Sequence, residues 1–455
     1  MSVGYLAAAG TPRVTPPPGL PRLIPADCAA GPEADHGFGQ QSLAGHLARL
    51  GPLTYPARPG GLIAEAEAAG LTGRGGAAFP VHRKLAAVAG QARERRRAVV
   101  VANGAEGEPA SGKDAALLWG APHLVLDGLQ LVAQATGATE AFLYSRRGEE
   151  LSRRLLGALR QRAAAGLDRV QVELVQAPDA FLAGEESALV SWLNGGPARP
   201  AFKQPPVWQR GVAGLPTLVQ NVETLAHLAL IARFGAGWFR AEGTPAEPGT
   251  MLVTVHRADG GSYITETGVG TPLAALLPAE LGAPGARTAP DASGGIQAVL
   301  AGGYHGAWLD PGRAAGLTLS NASLRPAGAF AGAGVLAALP VGRCGLAETA
   351  RVGRYLALES AGQCGPCFNG LPHIAGALDE LAGPRPRRQA LADVQRWAGL
   401  VAGRGACHHP DGFVRFVRSA LSVFRAELDA HGRGRCTATD PAPFLPVPAG
   451  APTGS

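Results

Sequence analysis

Three cysteines are spaced to hold a metal. Cys364 and Cys367 form a C-x-x-C unit, and Cys407 follows forty residues later. A C-x-x-C turn aims two thiolates at one centre, and a distant third can complete the approach. Iron–sulfur clusters take four ligands, usually all cysteine, whereas zinc accepts three cysteines and a histidine. His408 directly follows Cys407, so ligand count leaves both metals open.

A second chemistry is written in GLTGRGGAAFP, residues 70–80. Gly70, Gly73, Gly75 and Gly76 surround Arg74, with Phe79 and Lys84 close behind. Glycines permit positive φ and let the backbone approach a ligand closely, and successive amides can form a concave anion site. The loop reads as a phosphate cradle for a nucleotide or flavin. It matches neither the G-x-G-x-x-G fingerprint nor the P-loop. Two carboxylate pairs accompany it. Asn103, Glu106 and Glu108 follow the apolar run Ala98–Ala102, where α/β folds place ligands. Gly184, Glu185 and Glu186 precede the apolar ALVSWL, and Asn221 and Thr224 begin a further helix-like run.

Lysine usage points the same way. The chain holds three lysines among 41 basic residues. Lys84, Lys113 and Lys203 therefore mark positions where a compact ammonium is not readily exchanged for a planar guanidinium. All three fall in the segments that carry the candidate chemistry.

The elements that must position these groups read as several units, as expected for 455 residues. Hydrophobic residues make up 46% and charged residues 17%, which excludes wholesale disorder. With aromatics at 5%, the core must be built from Ala, Leu and Val. Residues 1–44 read as a Pro- and Gly-rich arm. From 45 to 245, strand-like runs (98–102, 170–175) alternate with helix-like ones (115–136, 151–165), the pattern of an α/β domain. From 246 to 335, short strand-like runs between turns suggest a small β-grasp module. From 336 to 436, helices dominate (347–358, 388–401, 412–431) and enclose the cysteines. Residues 437–455 read as a disordered tail. The net charge of +6 is dispersed, so no nucleic acid partner is expected. The N-terminus has no basic start followed by an apolar run, and no long uncharged apolar stretch exists, so neither a signal peptide nor a transmembrane helix is expected. A reducing, cytoplasmic setting follows.

Five ordered stretches, GLTGRGGAAFPVHRKL, VVVANGAEGEPASGKDAALL, FLAGEESALVSWLNG, GLPTLVQNVETLAHL and ESAGQCGPCFNGLP, together resemble the flavin-containing, NADH-oxidising 51 kDa-type subunit of respiratory complex I and related hydrogenase and formate dehydrogenase subunits. The resemblance covers residues 45–430. It implies an FMN domain, a β-grasp module of SLBB type and a helical bundle with a [4Fe-4S] cluster. NADH would deliver hydride to FMN, and single electrons would pass to the cluster and on to a small, ferredoxin-like iron–sulfur protein. A membrane reductase complex at the inner face of the membrane is the wider partner implied. Carried over by residue, Gly73, Arg74, Gly75, Gly76 and Lys84 would hold the flavin phosphate and ribityl. Asn103, Glu106, Asn221 and Thr224 would meet the flavin. Phe79, Glu108, Gly184, Glu185, Glu186 and Lys203 would face NAD(P)H, with Glu108 and Glu186 as the catalytic pair. Cys364, Cys367 and Cys407 would bind iron.

Departures from the family pattern set the open questions. Its first cluster cysteine is Ala361 here, which leaves a [3Fe-4S] cluster, a fourth ligand from His408, His409, Cys344, Cys436 or a partner, or no cluster. Ala105 stands for an Asp, Phe181 for a Tyr, and Leu85, Ala86 and Ala87 for aromatic residues. Pro206 replaces an aromatic that stacks adenine. Two lost stacking contacts would weaken adenine binding about tenfold to a hundredfold. Alternatives to NADH oxidation are therefore a flavin and iron–sulfur relay with another donor, or a non-catalytic protein whose C-x-x-C…C-H site holds zinc.

Overall fold

The computed structural model describes residues 19–28, 39–56, 60–95, 97–201, 205–282 and 295–448. Lys203 and the first 18 residues lie outside them.

The first unit is a four-stranded, all-parallel sheet. Its strands are β1 (Val99–Gly104), β2 (Glu140–Ser145), β3 (Val172–Gln176) and β4 (Thr217–Asn221), in the order β3-β2-β1-β4. β1 is buried along almost its whole length, which is why it reads as a continuous apolar run rather than an alternating one. The chain steps from β1 outward to β2 and β3, then returns to the other side of β1 for β4. The crevice between the carboxyl ends of β1 and β4 is thus a topological switch point, where open α/β sheets bind ligands. Asn103 and Asn221 face one another across it, paired in register at the strand ends.

The helices that cover this sheet differ from the sequence reading in one respect. The run expected as one helix over 115–136 is two, Lys113–Gly120 and Pro122–Thr136, bent by 96°. Pro122 cannot donate to the preceding turn, so the second helix starts there. Pro122–Thr136 is buried on nearly every face and packs on the helix Val222–Arg240. They approach so closely that a Cβ on Gly128 would lie 2.0 Å from the Leu225 carbonyl oxygen.

The second unit is a five-stranded mixed sheet. Its strands are β5 (Thr250–His256), β6 (Ser262–Gly268), β7 (Ile296–Ala301), β8 (Ala307–Leu309) and β9 (Val335–Pro340), in the order β6-β5-β9-β7-β8. Only the central β5–β9 pair is parallel. Numbered within the unit this order is 2-1-5-3-4, with the short helices Leu273–Leu276 and Pro278–Leu281 between the second and third strands, a β-grasp topology.

The third unit is helical: Gly345–Leu358, Leu371–Ala382, Ala390–Val401, His409–Val423 and Arg425–Gly432. The helix expected over 412–431 is broken at Phe424, which leaves the helical region (φ −94°, ψ 33°) and packs its ring on Trp308. Residues 437–448 are not a free tail. The amides of Thr439 and Asp440 donate to the Gly342 carbonyl, those of Phe444 and Leu445 donate to Glu348, and Asp440 pairs with Arg343. Among the described residues no single helix is long and apolar enough to cross a membrane.

Candidate flavin and iron–sulfur site

The glycine-rich loop is folded back by the amide of Gly73 donating to the Phe79 carbonyl (2.9 Å). It lies against the end of β4, where a Cβ on Gly75 would sit 3.3 Å from the Asn221 side chain. Gly76 has φ +104°, a conformation closed to most side chains. Thr224 anchors the loop by accepting from the Arg74 amide (2.9 Å). The Arg74 guanidinium does not face a ligand. It donates to Thr250 O (3.1 Å), Thr72 Oγ1 (3.0 Å) and Pro248 O (3.2 Å), and so ties the loop to β5. Cationic charge at the rim comes instead from Lys84, whose Nζ donates to Val219 O (2.7 Å) and pairs with Glu186 (2.6 Å) while staying partly exposed. Phe79 stands 52% exposed beside the loop, an unsatisfied aromatic face of the kind that stacks on a planar ring.

Across the crevice, Asn103 Nδ2 donates to Gly184 O (2.8 Å), which brings the Gly184-Glu185-Glu186 segment to the end of β1. Glu185 caps the helix Glu186–Leu193 through the amides of Ser187 and Ala188. Glu106, held at φ +45°, accepts from the amides of Asp114 and Ala115 and from Ser111, and so caps the helix Lys113–Gly120. Asn221 Nδ2 donates to Asp114 (2.6 Å). Beneath this surface the Lys113 ammonium lies between Asp114 (2.6 Å) and Glu223 (2.7 Å), all three almost inaccessible. Although burial opposes it, Lys113 holds the Glu223 carboxyl down to about 2. Glu223 also accepts from the Leu252 amide of β5 (2.9 Å), so one ion network joins both sheets under the crevice.

Glu108 marks the boundary with the other units. Burial pushes its carboxyl up to about 7, against hydrogen bonds from the Tyr304 and Ala110 amides and with a further push from Glu106. Gly303, at φ +80°, is required here because its Cβ would fall 2.6 Å from Glu108 Oε2. Next to it His305 Nε2 meets His409 Nδ1 (2.9 Å), and His409 Nε2 meets the Leu356 carbonyl (2.8 Å). The Phe181 ring packs edge-on against His305 and Tyr355, and tilted against His409. The Phe181 amide donates to Glu359 (2.8 Å). No sequence motif announced this junction; its signals are the paired glycines before Tyr304-His305 and the His that follows Cys407-His408.

The three cysteines converge. The Cys364 thiol is partly buried, yet it is held below its ordinary range by the amides of Ala406 and Cys367 and by the Cys367 thiol. Burial and the nearby Cys364 and Cys407 sulfurs push Cys367 up to about 12. Cys367 is the second residue of the helical turn Pro366–Gly370 that leads into the helix Leu371–Ala382. Three of the proposed fourth ligands are excluded. Both ring nitrogens of His409 are engaged as described. Cys344 precedes the helix Gly345–Leu358 and Cys364 lies beyond its far end; fourteen residues of helix span about 21 Å. Cys436 accompanies Cys344. His408, exposed and next to Cys407 in the chain, is the one left of the four.

Two departures take on a different meaning. Leu85 is fully buried in the core of the first unit, so its change of type affects packing rather than a pocket. Phe181 belongs to the junction with His305 and His409. Ala105, by contrast, lies at the crevice between Asn103 and Gly184. A separate cavity of about 610 Å³, lined by Trp308, Arg313, Arg415 and Arg418 among others, includes none of the expected site residues.

Residues 66–230 match the family model for the Nuo51 FMN-binding domain, and residues 347–431 match that for the NADH-ubiquinone oxidoreductase-F iron–sulfur binding region. The chain is 30% identical over 399 residues to the F subunit of NADH-quinone oxidoreductase from Streptomyces coelicolor, covering 84% of this chain and 86% of that protein. It is 29% identical over 423 residues to the corresponding protein of Mycobacterium tuberculosis, covering 87% and 90%. Among solved structures it resembles a chain of an NAD+-reducing [NiFe]-hydrogenase in the H2-reduced state, with a TM-score of 0.73 and 32% identity. That match covers 82% of this chain but only 63% of the hydrogenase chain. With both family regions present in order, and with relatives aligned over most of its length, the chain belongs to the Nuo51 family, the F-type subunits of NADH-quinone oxidoreductases.

Proposed function

We propose that the protein is an electron-input subunit that oxidises NADH at the β1/β4 crevice and passes electrons through the cysteine site to a partner. The observation that carries this reading is the meeting of the glycine loop, Asn103 and Asn221 at the switch point. The cradle fits a flavin: a Cβ on Gly75 would press on Asn221 in the crevice, and Gly76 holds a positive φ closed to most side chains. Gly73, Gly75, Gly76 and Lys84 would hold the FMN phosphate and ribityl, and Asn103, Glu106 and Asn221 would border the ring. Bound there, FMN would supply the exchange of an electron pair for single electrons, which protein side chains alone cannot perform.

The chain's own residues do the rest. Lys84, tethered to Val219 O and Glu186, presents a fixed positive charge to phosphate. Phe79 offers an aromatic face, and Glu185 and Glu186 would border the nucleotide, with Lys203 added to them only by the family resemblance. Burial pushes the Glu108 carboxyl up to about 7, so near neutral pH it carries only part of a negative charge beside an anionic dinucleotide. Cys364, Cys367 and Cys407 would bind iron, with Ala361 leaving one position to His408 or to a ligand from outside the chain. Functional units at 45–245, 246–335 and 336–436 follow from this division of labour, the middle one as an SLBB-type module. The acceptor would be a small iron–sulfur protein within a larger, cytoplasmic complex docked at the inner face of the membrane.

Pro206 and Ala105 favour a second reading, in which the same cofactors take electrons from a donor other than NADH. Anaerobic absorbance spectra of the reconstituted protein, before and after NADH, separate the two. Bleaching of flavin and cluster bands by NADH supports the proposal. Bands that ignore NADH but bleach with dithionite move the assignment to another donor, and no visible bands at all overturn both.

A further inference from the structure

Away from the crevice, Cys344, His431 and Cys436 bring their donor atoms within 4.8 Å of one another, the one group of this kind among the described residues. They come from separate places: Cys344 caps the helix Gly345–Leu358, His431 lies in the last turn of Arg425–Gly432, and Cys436 follows that helix. We propose that these three residues form a structural zinc site, independent of the iron–sulfur cysteines.

One separation already matches a tetrahedral centre. Zinc binds thiolate sulfur at about 2.3 Å and imidazole nitrogen at about 2.0 Å, so a tetrahedral angle sets the two about 3.5 Å apart. Cys344 Sγ and His431 Nε2 are separated by 3.5 Å. The imidazole is already oriented for the task. Its Nδ1 lies 3.1 Å from the Gly383 carbonyl, a bond that keeps the proton on Nδ1 and leaves the Nε2 lone pair facing the sulfurs. The Ala347 amide donates to Cys344 Sγ (3.4 Å), as outer-shell amides do to bound thiolates. The fourth position is open to Glu427, whose Oε2 lies 3.7 Å from the Cys344 sulfur and is anchored by the Leu346 amide (3.1 Å).

The site would pin the end of the helical unit to its beginning. Directly beyond Cys436, residues 439–445 lie along Gly342, Arg343 and Glu348, the neighbours of Cys344. Zinc would thus fasten the strap at its first point and needs no redox change to do so, since the ion has only one accessible oxidation state.

The test uses the full chain, reconstituted with FMN, iron and sulfide, then exposed to zinc and dialysed against a weak chelator. Wild type is expected to retain about one zinc per chain, with two sulfur neighbours at about 2.3 Å and nitrogen at about 2.0 Å by zinc K-edge absorption. Cys436→Ser, a change at an exposed residue, is expected to abolish zinc retention and leave iron content intact. Cys407→Ser is expected to lower iron and leave zinc intact. The proposal is overturned if wild type retains no zinc, if zinc follows Cys407 rather than Cys436, or if peptide mapping without reductant finds Cys344 and Cys436 joined as a disulfide. None of these readouts depends on whether NADH is the electron donor.

Discussion

Replacing Lys113 with methionine should weaken the protein and empty the crevice together. Methionine fills much of the lysine volume but leaves Asp114 and Glu223 facing each other in a site that solvent hardly reaches. The magnitude can be worked from Glu223. Its carboxyl is drawn from an ordinary 4.5 to about 2, which at 1.36 kcal/mol per pH unit is about 3 kcal/mol. That agrees with the roughly 3–5 kcal/mol lost when one partner of a buried ion pair is removed. For Glu223 the sign with pH is fixed, whereas burial pushes its neighbour Asp114 up to about 7 and works the other way between about 4 and 7. A depressed carboxyl stabilises the fold fully above its unfolded value and loses that contribution as pH falls from about 4.5 to about 2. In Lys113→Met the unpaired carboxylates instead gain a proton readily, so the gap to wild type should be widest near neutrality and narrow in acid. Because Asn221 donates to Asp114, flavin retention should fall with stability. Lys113→Arg should not restore either, since the planar guanidinium cannot replace a compact ammonium between two oxygens. Thermal unfolding at several pH values, with flavin released on acid precipitation as the second readout, decides the matter. A variant as stable as wild type at pH 7, with full flavin content, would refute the reasoning.

Three other substitutions test separate parts of the structure. Glu108→Gln should remove a pH dependence: the folded carboxyl keeps its proton to about 7, so wild-type stability declines as pH rises from about 4.5 to about 7 and the variant's should not, the difference reaching at most about 3 kcal/mol. Parallel melting curves across that range would contradict the assignment. Ala361→Cys should raise iron per chain and convert a three-iron electron paramagnetic resonance signal to a four-iron one; unchanged iron and spectrum would show that the site is not one ligand short. Gly128→Ala should lower the melting temperature, because overpacking two helices in backbone contact costs about 1–3 kcal/mol; an unaltered melting temperature would mean that the helices can part.

Two of the four strands of the first sheet were legible in the chain, β1 (read at 98–102) and β3 (read at 170–175). The buried run at β1 announced itself because a parallel strand covered on both faces needs apolar residues throughout. The retention of Lys113 among so many arginines signalled a site that tolerates only a compact cation, and the structure supplies the reason in its two carboxylate neighbours. The C-x-x-C unit and Cys407 were equally plain, since ligand spacing is a local property. β4 was harder to see: its five residues run directly into a helix, and Asn221 is at once the strand end, the helix cap and a wall of the crevice.

Tertiary structure decided what local pattern could not. Arg74 sits in the glycine loop and by composition looked like a ligand for phosphate, but the backbone carbonyls of β5 and its lead-in claim its guanidinium. Leu85 looked like a pocket position and is core. His409 looked like a spare ligand and is bound on both nitrogens. Cys344 and Cys436 looked like candidates for the same cluster, yet a straight helix holds them at the opposite end from Cys364. Sequence by itself determined which residue types were available and how the periodicity of each segment would fold. Direction belongs to the packed chain: which way a side chain points, and which partner reaches it first, depends on segments hundreds of residues away that the fold alone brings into contact.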